Sequence, residues 1–244
     1  MTQLVIGRYR ARVAQTEEDV RRAQALRHRA FFGADGLDQD PFDDTCTHIL
    51  IEERDGGRLA CCFRILPLTR GAEINRSYSA QFYELSGLQG FDGKMVEMGR
   101  FCILPGLNDP DILRIAWGAM TRYVDENKVE MLFGCSSFSG TDAETYLDAF
   151  AMLKERHLAP RRWLPRVKAP SVFRFAQKLR WRKPDARLAM SRMPPLLRTY
   201  LLMGGWVSDH AVVDRQLNTL HVFTGLEISA IPATRKRLLR AVAQ

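Results

Sequence analysis

No run of residues in this 244-residue chain approaches the roughly 20 apolar positions that span a bilayer. The N-terminal stretch MTQLVIGRYR lacks the apolar core of an export signal, so a cytoplasmic location is expected, with any membrane contact peripheral at the inner face. The five cysteines form no CxxC pair and no zinc spacing, which points to reduced thiols. GxSxG is absent, since Gly134-Cys135-Ser136-Ser137-Phe138 lacks the second glycine. HExxH, a Walker loop and a dinucleotide glycine fingerprint are also absent. The five histidines show no ligand spacing. Counting from Asp38 as in a calcium loop puts Asp43 where glycine is needed and Ile49 where glutamate is needed. Neither a metal nor an organic cofactor is expected.

What the chain does have is unevenly placed charge. Its net +8 hides a segment, 156–192, with twelve Lys or Arg and one acid, Asp185; the remainder carries 24 basic and 27 acidic residues. A local basic stretch on a slightly acidic body suits a polyanionic partner: an acidic protein, an anionic membrane surface or nucleic acid. Without an RNA- or DNA-reading motif, no nucleic acid is expected, and a basic nucleic-acid-binding module is the reading of last resort.

Pattern along the chain predicts a mixed α/β enzyme-like protein. Alternation over 8–14 reads as a strand, and Thr16 with Asp19 opens a helix running to Phe32. An acidic loop, 33–44, follows, with five aspartates. Apolar runs at 48–54 and 58–66 flank Asp55-Gly56-Gly57, a hairpin signal. A short helix is expected over 78–85, a strand over 95–104, and a helix from Asp109-Pro110 to Asn127. A strand over 131–136 precedes a helix that Thr141 and Glu144 cap as a box, running to Arg156. Beyond the basic segment, 194–203 reads as helix, 206–213 and 219–228 as a strand pair, and 232–243 as a short basic helix. The expected division is a core over 1–155, a basic aromatic segment over 156–193 and a C-terminal lobe over 194–244.

The strand Val96-Glu97-Met98-Gly99-Arg100-Phe101-Cys102 carries the chemistry. A glutamate and an arginine inside an apolar strand are costly unless paired, so their presence needs a reason. Either they form a structural ion pair with each other or they serve a site. Residues three apart on a regular strand face opposite sides, so a shared site requires a bulge, with Gly99 the expected position.

The order Leu26-Arg27-x-x-Ala30-Phe31, Asp40-Pro41-Phe42-Asp43, Phe63-Arg64-x-x-Pro67 and Val96-Glu97-Met98-Gly99-Arg100-Phe101 resembles the acyl-homoserine-lactone synthases. It resembles still more the ornithine–acyl-carrier-protein N-acyltransferases. Only these share a run like Pro194-Pro195-Leu196-Leu197-Arg198-Thr199-Tyr200, continued by Val212-Val213-Asp214 and Leu217-Asn218-Thr219. Gln216 and Leu217 depart from that pattern, where an acidic residue and phenylalanine are expected. The resemblance covers about residues 8 to 228. It implies the fold of GCN5-related N-acyltransferases, a mixed and mostly antiparallel sheet flanked by helices.

The resemblance also implies transfer of a 3-hydroxy fatty acyl group from acyl carrier protein to the α-amine of ornithine, giving lyso-ornithine lipid. The alternatives are a CoA-dependent acetyltransferase of the same fold and an acyl-homoserine-lactone synthase. The matching charged residues are Arg27, Asp40, Asp43, Arg64, Glu97 and Arg100. An ammonium must lose a proton before attacking a thioester, so Glu97 is the expected base, and burial should raise its affinity for that proton. A backbone N–H around Phe101–Leu104, Cys102 included, is the expected oxyanion donor. A cysteine nucleophile at Cys102 has no adjacent histidine to support it. Ornithine's carboxylate suits an arginine fork from Arg27, Arg64 or Arg100, and its second ammonium suits a loop aspartate. The stretch Leu104-Pro105-Gly106-Leu107-Asn108-Asp109-Pro110 has one glycine and an acid at the helix start, which opposes a pyrophosphate and favours a carrier-protein thioester over free CoA. Arg161, Arg162, Arg166, Lys168 and Arg174 are the expected dock for the acidic carrier protein, although aromatic-basic runs such as Leu179-Arg180-Trp181-Arg182-Lys183 equally suit an anionic bilayer.

Overall fold

A computed structural model describes residues 3–243. The elements in chain order are β1 (Leu4–Ile6), β2 (Tyr9–Val13), α1 (Glu17–Phe32), β3 (Thr47–Glu53), β4 (Leu59–Leu68), β5 (Tyr83–Glu84), β6 (Met95–Ile103) and α2 (Pro110–Asn127). They continue with β7 (Met131–Ser139), α3 (Leu147–Arg156), β8 (Arg166–Val167), β9 (Val172–Phe173), α4 (Phe175–Lys178), α5 (Ala186–Arg192) and α6 (Pro195–Leu202). The chain closes on β10 (Trp206–Val207), β11 (Ala211–Asp214), β12 (Thr219–Glu227) and α7 (Ala233–Ala243). Two compact units form, and neither is one continuous stretch. The expected division into 1–155, 156–193 and 194–244 follows the chain in order; the units do not.

The first unit takes residues up to Pro67, Val96–Val129 and the chain from Pro232 on. Its strands lie in the order β1-β2-β3-β4-β6. Pairing is antiparallel from β1 to β4, and the β3–β4 register shifts between Ile51 and Glu52. Thr16 caps α1 by accepting from the Asp19 N–H, as expected, and Gly33 ends it with a left-handed residue. One face of α1 buries Ala23 and Leu26 against Leu50, Leu59, Cys62 and Cys102, so the helix lies over β3, β4 and β6. Asp109 caps α2 by accepting from Asp111 N–H, with Pro110 in the first turn. Gly118 lets α2 approach its neighbours: a Cβ there would stand 2.8 Å from Leu4 and 3.1 Å from Val242 of α7.

The second unit takes Leu68–Met95 and Glu130–Ile231. Its main sheet runs β7-β12-β11-β9, with β10 also on β12, all antiparallel; β5 and β8 pair separately. Behind it, Phe138, Phe150 and Phe175 stack with α3, α5 and α6 over a core that includes Leu197 and Met193. Each such fully buried aromatic contributes about 1.5–3 kcal/mol. The mostly antiparallel, helix-flanked α/β class is the one expected.

Some elements differ from the sequence reading. Residues 78–85 form a single 3-10 turn, Ser79–Gln81, and then β5, because Tyr83 is drawn inward to the buried His221 of β12. The box at Thr141 is not the cap: Asp142 accepts from the Glu144 N–H and starts a 3-10 turn, Ala143–Tyr146, that leads into α3. The strand expected at 206–213 breaks into β10 and β11 around Ser208, whose hydroxyl donates to the His210 carbonyl.

Candidate active site

The first unit gathers five of the six charged residues matched by the resemblance into one ionic cluster. Arg27 projects from α1 and is 1% exposed. It donates to the Asp38 carboxylate at 2.8 Å, to both Asp43 oxygens at 2.7 and 2.9 Å, and to the Asp38 carbonyl. Arg64, from β4, forks onto both oxygens of Asp40 at 2.6 and 2.7 Å and reaches Asp43 at 2.7 Å. Arg100, from β6, bridges Asp38 at 3.0 Å and Asp40 at 3.1 Å. Three guanidinium groups and three carboxylates thus alternate, which neutralises charges that would otherwise be too costly to bury.

The acidic loop is therefore an inward-folded clasp. Gln24 donates to Asp43 at 3.0 Å, and His48 donates from Nε2 to the Asp43 carbonyl at 3.0 Å. The Phe42 ring stacks under Arg64 and Phe31 lies under Arg100. Burial opposes ionisation of Asp43, but the hydrogen bond and charge of Arg27 and the charge of Arg64 outweigh it and hold the carboxyl well below its usual range. Asp40 is lowered in the same way, burial being overcome by Arg64 and Arg100. Burial lowers His48, keeping its ring neutral.

The strand break needed to bring Glu97 and Arg100 to one site falls at Arg100 itself, not at Gly99. Arg100 has φ +53, a left-handed backbone rare for a residue with a side chain. Gly99 instead packs beside the Arg64 side chain. Glu97 precedes the break and is 4% exposed. Burial pushes the Cys46 thiol up to about 11, and the charges of Arg64, Glu97, Asp40 and Asp43 all act on it, so Glu97 shares that thiol's electrostatic surroundings with the cluster. The Arg100 guanidinium is held by Asp38 and Asp40, which makes it part of the wider network.

Phe101 is half-buried and stacks on Phe63 at 5.7 Å. The Cys102 thiol lies in the core, 3.5 Å from Cys62. The Cys62 contact and burial together raise it well above the ordinary thiol range, the opposite of a poised nucleophile. The Leu104 N–H donates to the Ala60 carbonyl at 2.8 Å and is not an oxyanion donor. At the α2 start, Asp109 receives bonds from Arg8 and Tyr9 as well as its capping bond, so an acid fills the place a pyrophosphate would need.

In the second unit, Arg161, Arg162, Arg166, Lys168 and Arg174 are all exposed. Arg162 approaches Glu227 at 3.6 Å, Arg166 approaches Glu84 at 3.8 Å, and the Lys168 ammonium donates to the Ala80 carbonyl at 2.6 Å. The departure at Gln216 and Leu217 falls in the β11–β12 turn, where both N–H groups donate to Asp214 and Asn218 is left-handed. The turn is held by Asp214 and the backbone of those two residues. Asp38, Gln24, His48 and Cys46 were not singled out from sequence. The one signal for Asp38 was stoichiometric, since three arginines bound for the interior need as many acids from the loop between them.

A family model described as an acetyltransferase (GNAT) domain matches residues 21–118. The L-ornithine N(alpha)-acyltransferase of Rhodobacter capsulatus is 31% identical over 239 residues, spanning 91% of each chain. The L-ornithine N(alpha)-acyltransferase of Agrobacterium fabrum is 28% identical, spanning 93% of this chain and 83% of its own. Among solved structures, FeeM, an N-acyl amino acid synthase from uncultured soil microbes, shares the fold with a TM-score of 0.52 at 11% identity, over 91% of this chain and 93% of that one. With the ionic cluster, the buried Glu97 and these relatives in view, the chain belongs to the L-ornithine N(alpha)-acyltransferase family.

Proposed function

We propose that this chain transfers a 3-hydroxy fatty acyl group from acyl carrier protein to the α-amine of L-ornithine, releasing lyso-ornithine lipid and the carrier thiol. The observation that carries the reading is the buried Glu97, standing on β6 just before the left-handed turn at Arg100 and beside the Arg–Asp clasp. Glu97 takes a proton from the substrate ammonium, directly or through water. The freed amine attacks the thioester carbon; a C–N bond forms, and the C–S bond breaks as the tetrahedral intermediate collapses. The ammonium gives up two protons in all, one ending on the departing thiol and one in solvent. Backbone N–H groups within Phe101 to Ile103 bind the developing oxyanion.

Within the clasp, Asp40 and Arg100 are the most accessible members, at 16% and 11% side-chain exposure against 1% for Arg27 and 3% for Arg64. Their contact opens to seat ornithine, Arg100 taking the carboxylate and Asp40 the second ammonium. Arg27 and Arg64 act as positioning residues that hold the loop. The acid-lined start of α2 favours a carrier-protein thioester over CoA, and exposed Arg161, Arg162, Arg166 and Arg174 suit an acidic carrier protein. The test is incubation with 3-hydroxyacyl carrier protein and ornithine, read by mass spectrometry, with CoA thioester and S-adenosylmethionine as exchanged substrates. An N-acylornithine formed only from the carrier-protein thioester is expected. Transfer only from CoA, or only to S-adenosylmethionine, refutes the reading.

A further inference from the structure

In the second unit, one tryptophan is displayed. Trp181 is 84% exposed, whereas Trp117 and Trp206 are buried at 6% and Trp163 is half-buried. Indole is costly to leave in water, so an aromatic held out in this way needs a partner or a reason.

The segment bearing it is firmly anchored. Lys154 of α3 donates from its ammonium to the carbonyls of Leu179, Arg180 and Arg182. Asp148, also of α3, receives Arg182 at 2.9 Å and the Asp185 N–H at 3.1 Å. Asp185 in turn caps α5 through the Leu188 N–H. The Trp181 turn and the start of α5 are thus fixed to the same carboxylate. With Ala189 of α5 facing the core, Leu188 and Met190 stay outside at 45% and 39% exposure. Around these apolar groups lie Arg180, stacked over the indole at 5.2 Å, Lys183, Arg187 and Arg192, all exposed, with Asp185 the single acid between residues 178 and 192.

We propose that this patch seats the protein on the surface of an anionic phospholipid bilayer. Exposed aromatic and aliphatic side chains interspersed with exposed cations match the headgroup boundary, which takes indole and attracts Lys and Arg. A carrier protein is the less suitable partner, because charge alone serves it and leaves the exposed Trp181, Leu188 and Met190 without a role. Among the described residues no helix is long and apolar enough to cross a membrane, so the contact is peripheral. The proposal rests on the exposed patch and stands whatever the acyl acceptor.

The test uses the full chain with vesicles of phosphatidylcholine alone or enriched in phosphatidylglycerol. The expected results are co-sedimentation with the enriched vesicles only, a blue shift of tryptophan emission, and quenching by brominated lipid that Trp181→Ala removes. Arg180→Ala and Lys183→Ala should each lower partitioning about five-fold. Trp181→Ala should leave acyl transfer from a soluble short-chain acyl carrier protein unchanged without vesicles. Equal binding to both vesicle types, quenching that persists in Trp181→Ala, or a loss of vesicle-free transfer in that variant overturns the proposal. So does a Trp181 emission shift produced by carrier protein alone.

Discussion

The two units bury polar groups in different proportions. The first buries ions: Arg27, Arg64 and Arg100 interleave with Asp38, Asp40 and Asp43, and elsewhere Glu52 receives Arg10, Arg12 and Arg22. The second buries mostly neutral groups beside the carboxylates of Asp148 and Asp214: Tyr83 donates to the His221 carbonyl at 2.7 Å, Thr224 donates to Ser136 at 2.9 Å, and Ser208 joins His210 to Phe223. An ionic network holds its members in one geometry and fails when one is removed. A neutral network tolerates more but offers no fixed charge to hold a substrate ion. The candidate chemistry lies with the ions, where a fixed geometry and strong local fields are worth their desolvation.

This contrast can be broken first at Arg27. Arg27→Ala leaves two buried carboxylates without their fork and should cost about 3–5 kcal/mol of unfolding free energy in a urea titration. A loss below about 1 kcal/mol would show that the clasp is not structural.

Acid should sharpen the contrast next. Burial holds the His221 pKa at about 4, against an ordinary value near 6.5. Above pH 6.5 the ring is neutral folded or unfolded, and no difference arises. As pH falls from about 6.5 to 4 the unfolded chain takes the proton and the folded chain does not, so about 3 kcal/mol of stability is lost. The depressed Asp40 and Asp43 work in the other window. Their contribution is complete above the ordinary carboxylate pKa of about 4 and disappears only as pH falls through their lower folded values. Hydrogen exchange should therefore show loosening above pH 4 in the second unit through His221 and in the first through the lowered His48, and the loss from Asp40 and Asp43 only below it. His221→Leu should shrink the upper phase in the second unit and leave that of the first, which belongs to His48, unchanged.

Arg100→Lys keeps charge and loses the fork. It should raise KM for ornithine about ten-fold or more through a loss of about 1.5–3 kcal/mol, with the unfolding midpoint little moved. The smallest expected effect is Thr16→Ala, about 1 kcal/mol from the α1 cap, visible in the same urea titration and without consequence for KM.

The elements legible in the sequence were those with local causes. Thr16 and Asp109 announce their helices because capping is a contact between near neighbours, and Asp55-Gly56-Gly57 announces its hairpin for the same reason. The 78–85 stretch was misread because Tyr83 answers to His221, 138 residues away. At the site, the residue types were legible and the partnerships were not. Glu97 and Arg100 stand out as charges in an apolar strand, but the left-handed turn belongs to Arg100, because holding Asp38 and Asp40 together offsets a backbone that glycine would adopt freely. The acidic loop was expected to lend an aspartate to a substrate ammonium, and nothing local tells that Arg27, Arg64 and Arg100 converge on it.

The most direct measurement is the single-turnover rate of acyl transfer to ornithine by wild type and by Glu97→Gln, with both unfolding curves recorded. A rate lower by about 10²–10⁴ at an unchanged unfolding midpoint is predicted, because glutamine keeps the shape and cannot take the proton. A variant that transfers at the wild-type rate would contradict the assignment of proton removal to this strand.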